Sequence, residues 1–131
     1  MSTKFVTLRL GIKKNITDGL LIYIPLGSKT AMITSQNKFA ASPVIVSREN
    51  IKSGTIKYIF INSGNANACT GIEGIKAVEK TINKAADFTN LNKDNFFVSS
   101  TGIIGIQLDV NKITNNFDFN FFVNIECKCR F

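Results

Sequence analysis

The sequence predicts an α/β domain of the α+β kind, a mostly antiparallel sheet with helices packed on it. Three observations carry that expectation. Short runs with a period of two, such as Val6, Leu8 and Leu10 against Thr7 and Arg9, read as half-buried strands. One longer stretch sets Ile72, Ile75, Val78, Ile82 and Ala85 at helical spacing. A chain of 131 residues with 44% hydrophobic side chains suffices for one modest core and a single domain.

Taken in order, residues 5–10 are the first strand and Gly11 breaks it. Residues 20–24 form the second, which Pro25 and Gly27 end. Residues 30–34 read as a third strand, so an antiparallel meander is the expected early topology. Pro43 restricts the residue before it, so residues 44–46 read as extended and residues 47–54 as a polar connection. Ile56, Tyr58 and Phe60 alternate with Lys57, Ile59 and Ile61, a strand apolar on both faces and therefore central.

The long helix follows. Thr70 and Glu73 have the spacing of a capping box at its start. Lys76, Lys80 and Lys84 line its other side, and Glu73, Glu79 and Asp87 stand three residues from members of that row, the pattern of a solvated face. Residues 96–98 read as a short strand, and Asp109 as the cap of a helix presenting Val110, Ile113 and Phe117 on one side. The division expected is residues 1–116 as the folded portion and 117–131 as a divergent, aromatic-rich tail.

The formal charge of +7 raises the question of nucleic acid or an anionic membrane. The basic residues are dispersed with no run longer than Lys13-Lys14, and Lys far outnumbers Arg, so neither partner is expected. Residues 20–26 are too few to span a bilayer, and the first residues carry no export or import pattern. Cys69, Cys127 and Cys129 offer no zinc spacing without histidine, so no metal is expected and reduced thiols of a cytoplasmic protein are the default. No Gly-x-x-x-x-Gly-Lys step provides a nucleotide cradle. The absence of histidine excludes a Ser-His-Asp or Cys-His engine within these residues.

Two stretches remain that carry chemistry. Asn62-Ser63-Gly64-Asn65-Ala66-Asn67-Ala68-Cys69-Thr70-Gly71 and Ser99-Ser100-Thr101-Gly102-Ile103-Ile104-Gly105 each follow a short apolar run and read as small polar loops at strand ends. Loops of this composition are most often plain turns. Their glycines also let main chain approach a ligand, and their short polar side chains could hold an anion.

Together the two stretches resemble the bifunctional ornithine acetyltransferase/N-acetylglutamate synthase family of arginine biosynthesis. Gly11-Ile12-Lys13 ahead of a buried strand resembles the family's opening, and Ser42-Pro43-Val44 resembles a step where the family more often has alanine before the proline. The resemblance runs from about Gly11 to Ile113 and implies an acyltransferase: acetyl passes from N-acetylornithine to glutamate through an acyl-threonine, with acetyl-CoA as a further donor in some members. That threonine becomes N-terminal by self-cleavage at an Ala-Thr bond. Its α-amine, with an ordinary pKa of about 8, then serves as base without histidine.

Carried onto this sequence, the resemblance makes the Thr101 hydroxyl and Gly102 amide an oxyanion hole, and makes Asn62, Gly64, Asn65 and Asn67 the wall beside it. Cys69 reads as small filler rather than nucleophile. No Gly-Ala-Thr step occurs, so the nucleophile and the β-subunit it begins are expected to lie elsewhere, and this truncated α-subunit piece is expected to be inactive alone. No other cofactor is implied. The alternatives are a non-functional fragment or pseudogene product, and a small anion-binding α/β module.

Overall fold

A computed structural model describes residues 3–117; of the tail expected at 117–131, all but Phe117 lies outside the described residues. Among the described residues four strands form one sheet in chain order, β1 Lys4–Leu8, β2 Gly19–Tyr23, β3 Tyr58–Asn65 and β4 Phe96–Ile103, and three α-helices accompany them, α1 Ser42–Asn50, α2 Gly71–Thr89 and α3 Val110–Asn116. β1, β2 and β3 pair antiparallel and β3 pairs parallel with β4, so the mostly antiparallel α/β sheet expected from the sequence is present, with one parallel step at its edge.

The registers align side chains in rows across the sheet. Lys4, Tyr23, Tyr58 and Phe96 form one row, and Val6, Leu21, Phe60 and Val98 the next. The Tyr58 and Phe96 rings stack at 5.5 Å between centroids, and Tyr23 leans on Tyr58 at 5.6 Å. Val78, Ile82 and Ala85 of α2 and Ile113 of α3 pack on this face, with Phe117 meeting Phe60 edge-on at 5.1 Å. The opposite face carries Phe5, Ile22, Ile59 and Phe97 in one row and Leu20 and Ile61 in the next; Phe5 is exposed and the others are half-buried.

Two expectations fail here. Residues 30–34 are not a strand; the meander is completed by β3, and the intervening segment crosses irregularly, tied by Arg48 Nε donating to Thr34 Oγ1 at 2.8 Å. Residues 44–50 are helical, neither extended nor a connection. Pro43 sits in the first turn of α1, where a fixed φ favours helix and no amide is missed. The β-branched run Val44, Ile45, Val46 is overridden by what the helix delivers. Ser47 and Asn50, three apart on one side, reach the outer edge of β4. The Ser47 hydroxyl donates to the Val98 carbonyl at 3.0 Å and accepts the Val98 amide at 3.1 Å; Asn50 Nδ2 donates to the Phe96 carbonyl at 2.8 Å.

α2 has the apolar stripe expected of it, except that Ile72 is exposed. Of its lysine row, Lys76 is exposed and paired to Glu73 at 2.7 Å, Lys80 is exposed and donates to Asn111 Oδ1 at 2.7 Å, and Lys84 is half-buried over the Phe88 ring. The capping box is not formed: Glu73 goes to Lys76, and the Thr70 hydroxyl donates to Asn67 Oδ1 at 2.8 Å. Asp109 precedes α3 without a side-chain cap.

Candidate functional site

Each motif begins as a strand end and only then becomes a loop, at residues 66–70 and 104–105. β3 continues through Asn65 and β4 through Ile103, so Ser63 pairs with Thr101, Gly64 with Gly102 and Asn65 with Ile103. The ladder survives this far because both strands are reduced to backbone at the same level. A Cβ on Gly102 would stand 2.4 Å from the Gly64 carbonyl carbon and 2.6 Å from the Asn65 nitrogen, and the residue has φ +132. Only glycine fits there without parting the strands.

Ladder parity then decides where the donors point. The Ala66 amide donates to the Ile103 carbonyl at 2.9 Å, so odd-numbered residues of β4 turn their amides and carbonyls toward β3. Even-numbered residues turn theirs to the outer edge. Phe96 and Val98 are met there by α1, as described. The same parity directs the amides of Ser100 and Gly102 to the outer edge, where no backbone acceptor for them is found among the described residues. Thr101 is exposed and extends from the face opposite α2, the same face as Ser63 and Ser99. Lower on that face, toward the start of β4, a cavity of about 170 Å³ is lined by Met32, Pro43, Val44, Ile59, Phe97 and Ser99, among others.

The asparagines are placed differently from one another. Asn62 lies buried on the helix-covered face, where Oδ1 accepts Ser100 Oγ at 2.5 Å and Nδ2 donates to the Asn65 carbonyl at 2.9 Å. Asn65 Oδ1 accepts the Asn67 amide at 2.7 Å, and its Nδ2 donates to the Ile106 carbonyl at 3.0 Å. Asn67 is fully buried with φ 47, donating from Nδ2 to the Gly74 carbonyl at 2.9 Å. These bonds run mostly between side chain and backbone, and they tie the end of β3 to α2 and to the segment after β4. Gln107 Nε2 adds a bond to the Thr70 carbonyl at 2.9 Å. Cys69 is exposed with φ 58. Among the described residues no group of His, Cys, Asp and Glu is placed to hold a metal, and no helix is long and apolar enough to cross a membrane.

Sequence reasoning missed two contributors. Asp18 is buried, and its carboxylate accepts the Leu10 amide at 2.6 Å and the Lys13 amide at 2.8 Å. The brace lays Lys13 across Gly64: a Cβ on Gly64 would be 3.0 Å from Lys13 Cγ and 2.8 Å from Ile12 Cγ2. Lys13 Nζ then donates to Ser63 Oγ at 2.7 Å. The Gly11-Ile12-Lys13 turn was visible in the sequence, but a contact between residues 50 positions apart was not.

This fold is shared with two solved structures. The crystal structure of ornithine acetyltransferase complexed with ornithine from Mycobacterium tuberculosis matches with a TM-score of 0.82 at 26% identity, over 87% of this chain and 63% of that one. Arginine biosynthesis bifunctional protein ArgJ from Bacillus halodurans matches with a TM-score of 0.80 at 31% identity, over 86% of this chain and 60% of that one. The chain belongs to the ArgJ family, whose model matches residues 4–123. The arginine biosynthesis bifunctional protein ArgJ of Caldanaerobacter subterraneus subsp. tengcongensis is 38% identical over 103 residues, 79% of this chain and 26% of that protein. ArgJ 2 of Clostridium acetobutylicum is 39% identical over 104 residues, 79% of this chain and 27% of that protein. The chain thus spans about a quarter of the length of the curated relatives it matches.

Proposed function

We propose that this chain supplies the oxyanion hole of a glutamate N-acetyltransferase of arginine biosynthesis, acting on N-acetylornithine and glutamate in the cytoplasm. The observation that carries the reading is the placement of Thr101 and Gly102 at the end of β4, both exposed, with the Gly102 amide on the outer edge. Acyl transfer builds negative charge on the attacked carbonyl oxygen. A hydroxyl and an amide fixed by the strand ladder meet that charge without reorganising, a contribution of about 3–4 kcal/mol for each donor.

In this reading Asn62, Gly64, Asn65 and Asn67 hold the wall rather than react. Gly64 allows the close approach of Gly102, and the asparagines fix the strand ends to α2. The acyl-accepting hydroxyl comes from the portion of the family's length that residues 1–131 do not span, and the chain works together with that β-subunit portion. Acetyl-CoA as alternative donor would use the same hole.

The test is a replacement. Residues 1–116 are exchanged for the matching segment of the Caldanaerobacter relative, and acetyl transfer from N-acetylornithine to glutamate is measured. Transfer by a soluble, folded exchange protein is the expected result. A folded exchange protein without transfer contradicts the reading and favours a segment that keeps the fold and has lost the chemistry.

A further inference from the structure

Lys13 has no part in the core, yet its position is tightly defined. Its amide is held by the buried Asp18 carboxylate, its stem crosses Gly64, and its ammonium ends 2.7 Å from Ser63 Oγ. Ser63 is the register partner of Thr101. Side chains of register partners leave the same face of neighbouring strands, about 5 Å apart. A positive charge is therefore set on the Thr101 face, over β3, while the Gly102 amide leaves the far edge of β4.

We propose that Lys13 and Ser63 form a carboxylate-binding position beside the oxyanion hole, which takes the carboxylate of an N-acylated amino acid whose acyl carbonyl lies at Thr101 and Gly102. The proposal rests on the acyl-transfer reading given above. Separation decides the role. The ammonium and the Gly102 amide are one to two strand spacings apart, about 5–10 Å, which is too far for both to donate to one oxygen. It matches the span between the carbonyl and the carboxylate of one small N-acyl amino acid. Chemistry agrees with the geometry: an ammonium and a hydroxyl side by side are two donors for the two oxygens of one carboxylate, and the bonds would be charge-assisted. Ser63 Oγ, which now accepts from Lys13, has its own proton free to donate. The side chains that brace Lys13 are spent on backbone: both oxygens of Asp18 accept main-chain amides, so Asp18 positions Lys13 without drawing its ammonium away from Ser63.

The 131-residue chain itself is the test material, isotopically labelled and followed by amide resonances. It is titrated with N-acetylglycine and with N-acetylglycinamide, which differ only in the charged group. N-acetylglycine is expected to perturb Lys13, Ser63, Thr101 and Gly102 and to bind about tenfold more tightly than the amide, the worth of one exposed charge-assisted contact. Lys13→Met keeps a stem over Gly64 and is expected to abolish that preference while leaving amide binding unchanged; Lys13→Arg is expected to retain most of it. If Lys13→Met still prefers N-acetylglycine tenfold, or if N-acetylglycine moves none of these resonances at millimolar concentration, the carboxylate position is wrong. A Lys13-dependent preference with no change at Thr101 or Gly102 would uphold the carboxylate position and overturn the oxyanion reading instead.

Discussion

The two halves of the β3–β4 pair make opposite use of one ladder. At the lower half, Tyr58, Phe60, Phe96 and Val98 fill the space under α2, and the outer edge is closed by Ser47 and Asn50. At the upper half, Ser63 and Gly64 are half-buried, Thr101 and Gly102 are exposed, and no side chain among the described residues bonds the outer edge. Packing stabilises the strand pair where it is aromatic, and the side-chain bonds of Asn62, Asn65 and Ser100 hold the register where apolar packing ends. A backbone donor at the upper end is thereby fixed in place and still free for a ligand.

That division is breakable, and the largest effect is expected at the lower half. Phe60→Ala removes a ring that meets Phe117 edge-on and should cost about 3–5 kcal/mol in urea unfolding. A cost below about 1 kcal/mol would mean that the sheet is held elsewhere. Gly102→Ala is the sharper test, since the substituted position is exposed and a surface change ordinarily costs little. Its Cβ would strike the Gly64 backbone at 2.4 Å, and we expect a loss of about 2–3 kcal/mol together with weakened amide protection from Ser63 to Asn65. Asn67→Ala removes the side-chain donor to the Gly74 carbonyl and the Asn67 acceptor of the Thr70 hydroxyl, both buried; about 1–3 kcal/mol should be lost, read from the thermal midpoint. Smallest is Glu49→Ala, which removes an exposed pair with Lys52 and should change the midpoint by the equivalent of less than about 0.5 kcal/mol.

The lower half was legible in the sequence and the upper half was not, and the difference is physical. Alternation at residues 56–61 announced a central strand because burial on both faces demands apolar residues at every position. The 3.6-residue period announced α2 for the same reason. Ser63-Gly64 and Thr101-Gly102 gave no strand signal, because their strand geometry comes from the partner and from glycine's tolerance of close backbone contact, not from local preference. α1 was misread as extended because Val44, Ile45 and Val46 favour strands locally, whereas the edge bonds of Ser47 and Asn50 that reward a helix are made 51 and 46 residues away. The capping box failed through competition: Asn67, buried and needing partners, takes the Thr70 hydroxyl. Thr101 and Gly102 were singled out by resemblance alone, and Lys13 was passed over because nothing local links it to Ser63.

The most direct measurement is made on the exchange protein carrying residues 1–116, comparing Thr101→Ala with the parent. Thr101 is exposed and packs under no helix, so its thermal midpoint should not move. Its kcat for acetyl transfer from N-acetylornithine to glutamate should fall about a hundredfold at nearly constant KM, the signature of a donor engaged only in the transition state. Unchanged turnover with the protein folded would contradict the assignment of the oxyanion hole to the end of β4.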